Sequence, residues 1–389
     1  MSKKNNTPQP ATQRSLAEYV IIGLIFLAMA FMIVTFSNRE FSYQQYNTST
    51  LEYVRGKVVE VSEEELSETA NFTGGWQMVR VEILQGKAKG QVVEVENYIT
   101  SSHNVIAKKG GRVIVRTDMP EGITPNFQIY NYDRSVGTFG MVLLFLAVVV
   151  IIGGRKGFMS CLGLAFTLCT VICLLLPSIF EGGNAWAVSV LTIILSTLVS
   201  CFCVCGVSRR TYINFLNTVL GTISAGVVYL LFMWVLGING TNMSEAEQLI
   251  LISNHTGLQL NGVLFAGVLV STLGAVMDVA VSMGASLNEI RELNPKITPK
   301  ELFRSGMNIG RDMIGTMTNT LILAFAGGTL ATLLTFLAIG LQFHQLLSSN
   351  FLALEIASGI AGSMGVVLTV PISAAICSFH TNKKKIKNK

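Results

Sequence analysis

Charge is scarce in this chain. Asp, Glu, Lys and Arg make up 13% of its 389 residues, against about 25% in an ordinary soluble protein. Aspartate is the rarest of them: Asp118, Asp133, Asp278 and Asp312 are all there are. Half of the residues are hydrophobic, and they fall in long runs rather than at amphipathic spacing. That excludes a soluble globular protein and predicts an integral membrane protein. Residues 37–137 have no cysteine, which excludes a disulfide framework in the one long polar segment. Cys201, Cys203 and Cys205 alternate by two, so a helix spreads them around its circumference. Zinc needs ligands that converge, usually with histidine, so no metal is expected.

Signatures of catalysis are missing too. No GxxxxGK[ST] phosphate loop and no HExxH occur. Two aspartates in apolar sequence suggest an intramembrane aspartyl protease, but Gly310-Arg311-Asp312 lacks the usual GxGD setting. Ser358-Gly359 lacks the glycine pattern and membrane histidine of a serine protease. An intramembrane enzyme is therefore the least favoured class. No catalytic residue and no cofactor are assigned.

Lysine and arginine are also absent from three short loops, 180–185, 238–260 and 341–351. The basic residues sit elsewhere: Lys3, Lys4 and Arg14, then Arg155-Lys156, Arg209-Arg210, the cluster Arg291, Lys296, Lys300 and Arg304, and the lysine tail 383–389. Apolar runs at 19–36, 138–153, 158–179, 186–206, 213–237, 261–285, 308–340 and 352–378 give about eight transmembrane helices. With basic loops inside, both termini are cytoplasmic and residues 37–137 are extracytoplasmic. The expected domains are a disordered tail (1–18), an uncleaved anchor (19–36), a β domain (37–137), a seven-helix membrane domain (138–378) and a basic tail (379–389).

Within 37–137, period-two alternation marks strands at 54–61, 76–84, 91–99, 112–117 and 127–132. Gln85-Gly86, Lys109-Gly110-Gly111 and Met119-Pro120-Glu121-Gly122 separate some of them as turns. Five short strands predict a small all-β barrel or sandwich, OB-like. An exported segment excludes nucleic acid as its partner. In loop 286–305, Ser286/Glu289 and Thr298/Glu301 both match a capping box, with Pro299 at a first helical position. Asn294-Pro295 breaks the two pieces. The second puts Leu302, Phe303 and Met307 on one side, as an interfacial helix would.

The candidate site lies where polar residues recur at helical spacing inside apolar runs. Asp278 shares a face with Ser271, Gly274, Ala275, Ser282 and Ala285. The next span carries Asn308, Arg311, Asp312, Gly315, Thr316 and Asn319; the fifth carries Asn214, Asn217 and Thr218; the last begins at Glu355. Four polar faces at helical spacing are expected to meet. Amides and small residues are accounted for by packing, but carboxylates bring a desolvation cost that packing does not require, so Asp278, Asp312 and Glu355 point to an ion, proton or solute pathway. A weak echo, Arg209, Asn217, Thr218 and Gly226 against Arg311, Asn319, Thr320 and Gly328 at a spacing of 102 residues, hints at a parallel repeat.

The blocks GAVMDVAVS (274–282), SGMNIGRDMIGTMTNTLILA (305–324) and E-x-x-S-G-x-x-G-S-M-G (355–365) with Pro371 resemble the YibE/F family of bacterial multi-pass membrane proteins, over roughly residues 138–378. The anchor and β segment resemble its longer members. The resemblance implies a plasma-membrane location, and a homo-oligomer or a hetero-oligomer with a shorter member; it implies no substrate. The leading expectation is a transporter- or channel-like permease for an unknown small solute or ion, its site between the last four helices. The alternative is a membrane scaffold or sensor that docks an envelope partner through the β domain.

Overall fold

A computed structural model describes residues 16–39, 50–120, 122 and 124–379. The tail at residues 1–15, Glu121 and the lysine tail lie outside the described residues. The chain divides into two compact units, Phe41–Ile151 and Met1–Glu40 with Ile152–Lys389.

The first unit is built on five antiparallel strands: β1 (Leu51–Thr69), β2 (Phe72–Ile83), β3 (Val92–Ile99), β4 (Arg112–Asp118) and β5 (Asn126–Tyr132), in spatial order β3-β2-β1-β4-β5. The alternation works as read: Val54, Val58, Val79, Val81, Ile83, Val95, Val113 and Val115 share one core. There is one sheet, curled into a half-barrel, so the sandwich option falls. β1 and β2 run longer than their apolar alternation, as a hairpin through residues 62–75. Register shifts at Val58/Glu60 and Val61/Glu63 mark bulges that bend and twist the strand there. The irregular segment 100–111 is tied down by buried amides. Gln77 accepts from Ala107 N at 2.8 Å and donates to Glu64, while Asn97 donates to Val105 O at 2.7 Å.

Asp133, just after β5, shows how this unit responds to pH. Its side chain is covered and accepts hydrogen bonds from Ser135, with Arg55 Nε 3.4 Å away. The Ser135 hydrogen bonds and then Arg55 and Arg112 hold its carboxyl below the ordinary carboxylate range, against an opposing effect of burial. A depressed carboxylate stabilises above the unfolded-chain value of about 3.9, and that contribution disappears as pH falls through the folded value. Asp133→Asn is expected to destabilise the β unit by about 1 kcal/mol at neutral pH. The gap to wild type should close below about pH 4. Hydrogen exchange of the β1 and β4 amides checks this; a gap independent of pH would refute it.

The second unit is helical. It holds α1 (Leu16–Ser37) and receives α2 (Ser135–Thr170) from the β unit. A π turn (Val171–Leu175) and α3 (Leu176–Phe180) follow, then α4 (Ala185–Cys205), α5 (Arg209–Leu236), a 3₁₀ turn, α6 (Ala246–Thr256) and α7 (Leu260–Leu293). The chain ends with α8 (Pro299–Gly328), α9 (Leu330–Ala338), α10 (Phe343–Leu347) and α11 (Asn350–Phe379). Among the described residues, six helices are long and apolar enough to cross a membrane, or seven if the bent pair α8–α9 is one span. The expected pair 138–153 and 158–179 is merged in this count into one 46-residue stretch, Ser135–Phe180. At 1.5 Å per residue that is about 69 Å, over twice a hydrocarbon core. Its backbone breaks at Gly154, with φ 54° and ψ −135°, a conformation only glycine adopts readily.

Several boundaries differ from the expectation. Ser286 and Glu289 lie inside α7, which continues to Leu293, so that capping box starts nothing. The Thr298/Glu301 box is real: the Thr298 side chain accepts from Glu301 N at 3.3 Å, and Glu301 accepts from Thr298 N at 2.9 Å. It opens one continuous helix through Gly328, not a separate interfacial piece. Leu302 is buried in the bundle rather than laid along a surface. The 308–340 run bends by 52° between α8 and α9. Loop 238–260 contains α6, capped by left-handed Gly257.

Candidate functional site

Helices α5, α7 and α8 pack on α11, and α7 also packs on α5 and α8, with α4 against α5 and α7. Close approach is made by glycines. A Cβ on Gly221 of α5 would collide with Thr369 Oγ1 of α11, one on Gly284 of α7 with Asn214 of α5, and one on Gly310 of α8 with Val370 of α11.

Inside this packing lie Asn214, Asn217 and Thr218, all buried. Asn214 Nδ2 is 3.4 Å from Cys205 Sγ, and Asn217 Nδ2 is 4.0 Å from Cys377 Sγ. So the polar faces of α5 and α11 do meet those of their neighbours. The interior is more hydroxylated than the sequence suggested. Thr192, Ser196 and Thr197 of α4, Thr222 of α5 and Ser373 of α11 are buried, with side-chain oxygens that have no hydrogen-bond partner among the described residues. The α4 contribution was readable from the spacing Ser189, Thr192, Ser196, but the run Ala185–Cys205 looks uniformly apolar at first sight.

The charged candidates are placed differently. Asp278 is exposed, on an exposed line of α7 with Ser271, Gly274, Ser282 and Ala285. On α8, Asn308, Arg311, Asp312, Gly315, Thr316, Asn319 and Thr320 are all exposed, while Leu302, Gly306 and Gly310 are buried and Met307, Met313, Met317 and Leu321 pack against the core. The expectation that all four polar faces meet is therefore corrected. α8 turns its apolar face to α7 and α11, and its polar stripe is exposed; of that stripe Thr320 alone shares a groove with Ser271 of α7 and Glu355 of α11. The echoed residues are placed differently: Asn217 and Thr218 are buried, Asn319 and Thr320 exposed. Arg311 donates to Asn308 Oδ1 at 3.4 Å. Among the described residues, no hydrogen bond or ion pair involves the carboxylate of Asp278 or Asp312.

Glu355 of α11 is half-buried and lines an open groove of about 570 Å³ with Ser271 of α7, Thr320, Phe325 and Gly328 of α8, and Thr329 at the α8–α9 bend. Thr329 Oγ1 donates to Ala326 O at 3.2 Å and to Phe325 O at 3.3 Å, and Phe325 O also accepts from Thr329 N at the bend. No group of His, Cys, Asp and Glu suited to a metal occurs among the described residues.

What these features define is a bundle of long apolar helices with a hydroxyl-lined interior, a charged outward stripe and an appended β half-barrel. The model of the YibE/F-like protein family matches residues 141–383, and the chain belongs to that family. No curated protein and no solved structure matches it.

Proposed function

We propose that this is a multi-pass plasma-membrane permease, transporter- or channel-like, for a small solute or ion. The observation that carries this reading is the outward stripe of α7 and α8, with Asp278, Arg311 and Asp312 on helices long enough to span a bilayer. Hydrocarbon cannot solvate such groups, and ionisable residues at that depth mark pathways far more often than packing. The groove at the α8–α9 bend adds to it. Broken helices put backbone carbonyls where a cation can use them, and here Glu355 and four hydroxyl residues, Ser271, Thr320, Thr329 and Thr332, line the same space. The membrane setting is supported by α2, whose Phe139 and Ile152 are 71% and 83% exposed, apolar surface that needs lipid. Dividing the 46-residue stretch at Gly154 gives eight spans, with the termini cytoplasmic and the β unit outside.

A second reading, a scaffold or sensor, is favoured by one feature. The edge strands β3 and β5 flank a groove of about 540 Å³ lined by Glu94, Asn97, His103 and Phe127. Read as an OB-like half-barrel, this is a place where a partner could close the sheet. Proteoliposomes loaded with a panel of inorganic ions and small organic acids and bases decide between the two. A permease moves at least one of them faster than empty liposomes. A chain that moves none, and whose cellular phenotype is lost on deleting residues 40–135, is a scaffold.

A further inference from the structure

The stripe on α8 has an order that solvation of a pathway does not require. Asn308, Asp312, Gly315, Asn319, Ile322 and Ala326 follow one another at intervals of four, three, four, three and four, and all six are exposed. That is the spacing by which one helix seats against another at a shallow crossing angle. Yet α8 uses its other face for α7 and α11, and among the described residues this one has no helix against it. Gly315 sits in the middle of the seam, and a Cβ added there meets nothing within 4 Å; the same holds for Gly274 on the neighbouring stripe of α7 and for Gly327 and Gly328 near the bend. Buried glycines elsewhere in the bundle mark places where two helices touch. These mark a place where a helix would fit.

We infer that this seam is covered by a second copy of the chain, with α8 against its own image about a twofold axis parallel to the helix. The inference rests on the permease reading for its membrane setting and deepens it, since the polar stripe then lies between two protomers. Lipid chains are excluded as the covering by the carboxylate and amides, which they cannot pair. A second copy is favoured over another protein by the composition of the face itself. Arg311 and Asp312 are consecutive and therefore at nearly the same height on α8. A twofold axis brings the two Asp312 carboxylates near one another, and each Arg311 guanidinium, on the flank of the seam, reaches the other protomer's carboxylate, so two reciprocal ion pairs offset the like charges. Asn308 and Asn319 each carry both donors and an acceptor, so each can pair with its own image. Gly315 meeting Gly315 sets the closest approach, as small residues do between membrane helices. A face that contains both halves of every pairing is self-complementary, which is the requirement of an isologous interface.

The test uses the full chain in its native membranes, with Gly315→Cys, whose side chain meets nothing within its own protomer and, at the closest approach, lies within disulfide reach of its own image. Mild oxidation should convert most of it to a disulfide-linked homodimer. Wild type, with its seven native cysteines, and Val227→Cys on the exposed face of α5 should stay monomeric. Arg311→Asp on the Gly315→Cys background should lower the linked fraction roughly tenfold, and the exchange Arg311→Asp with Asp312→Arg should restore it. The inference is overturned if Gly315→Cys stays monomeric, links to a different protein, or dimerises no better than Val227→Cys. It is overturned equally if the charge exchange fails to restore what the single change removed. If Arg311→Asp does not accumulate, the Gly315→Cys comparison decides alone. Cross-linking needs no solute: a dimer that moves nothing would leave this inference standing without the permease, and flux through a monomer would do the reverse.

Discussion

Gly221→Leu is expected to cost the helical unit about 3 kcal/mol, the upper end for overpacking a core, and to lower its melting temperature in detergent by many degrees. Gly221 stands where three helices converge. A Cβ there already overlaps Thr369 Oγ1 of α11 and comes within 2.8 Å of Val276 Cγ1 of α7. Thr369 cannot simply swing away, because its hydroxyl donates to Gly365 O at 2.7 Å, and Gly365 itself packs on Ala225 of α5. Relief requires moving α5 off α11, which separates the Asn217 amide from Cys377 and opens the interior. Gly221→Ala should show a smaller loss of the same kind. Gly267→Leu, at an exposed glycine of α7 with open space around it, should change little. Equal melting of the Gly221 and Gly267 variants would mean that α5, α7 and α11 are not packed as described.

Asp278→Asn should reduce solute flux by roughly two orders of magnitude, the scale of losing a positioned proton-transfer group. The substitution is nearly isosteric and Asp278 is exposed on α7, so the fold should be unchanged. Asparagine keeps hydrogen-bonding capacity and removes the charge and the titratable proton. Asp278→Glu, which restores both on a longer arm, should recover a measurable part. Flux would be read in proteoliposomes at several pH values, with protein content and melting temperature matched among variants. Full activity of Asp278→Asn would remove this carboxylate from any pathway and leave the stripe on α7 as packing surface.

How much of this could be read from sequence differs between the two units. All five strands were legible because each carries an apolar line of period two, such as Val79, Val81 and Ile83. Their extension into residues 62–75 was not, since a ribbon without a core behind it has no inward face to show. α6 was missed because Ala246–Thr256 is short and mixed in character. On the long helices, spacing revealed which residues share a face but not where that face points. For α5 the polar face went inward because small residues there let α7 and α11 approach. For α8 the apolar residues Leu302, Met313, Met317 and Leu321 won that contact, and the polar stripe was left outside. Direction is decided by competition among helices for the same interior, which no single segment encodes.

The long hairpin of the β unit has a different significance. From Glu60 to Thr69, β1 pairs with β2 alone among the described residues, since its pairing with β4 ends at Lys57. The other edge of this stretch has open backbone donors and acceptors, the kind of edge on which chains aggregate. Glu60, Glu63, Glu64, Glu65 and Glu68 are exposed along it. Their shared sign makes two such edges repel, which protects colloidal stability. Substitutions that neutralise Glu63 and Glu68 would leave each molecule as stable as before and make a population of them adhere, whereas Glu60, Glu64 and Glu65 also bond Arg80, Gln77 and Trp76 of β2.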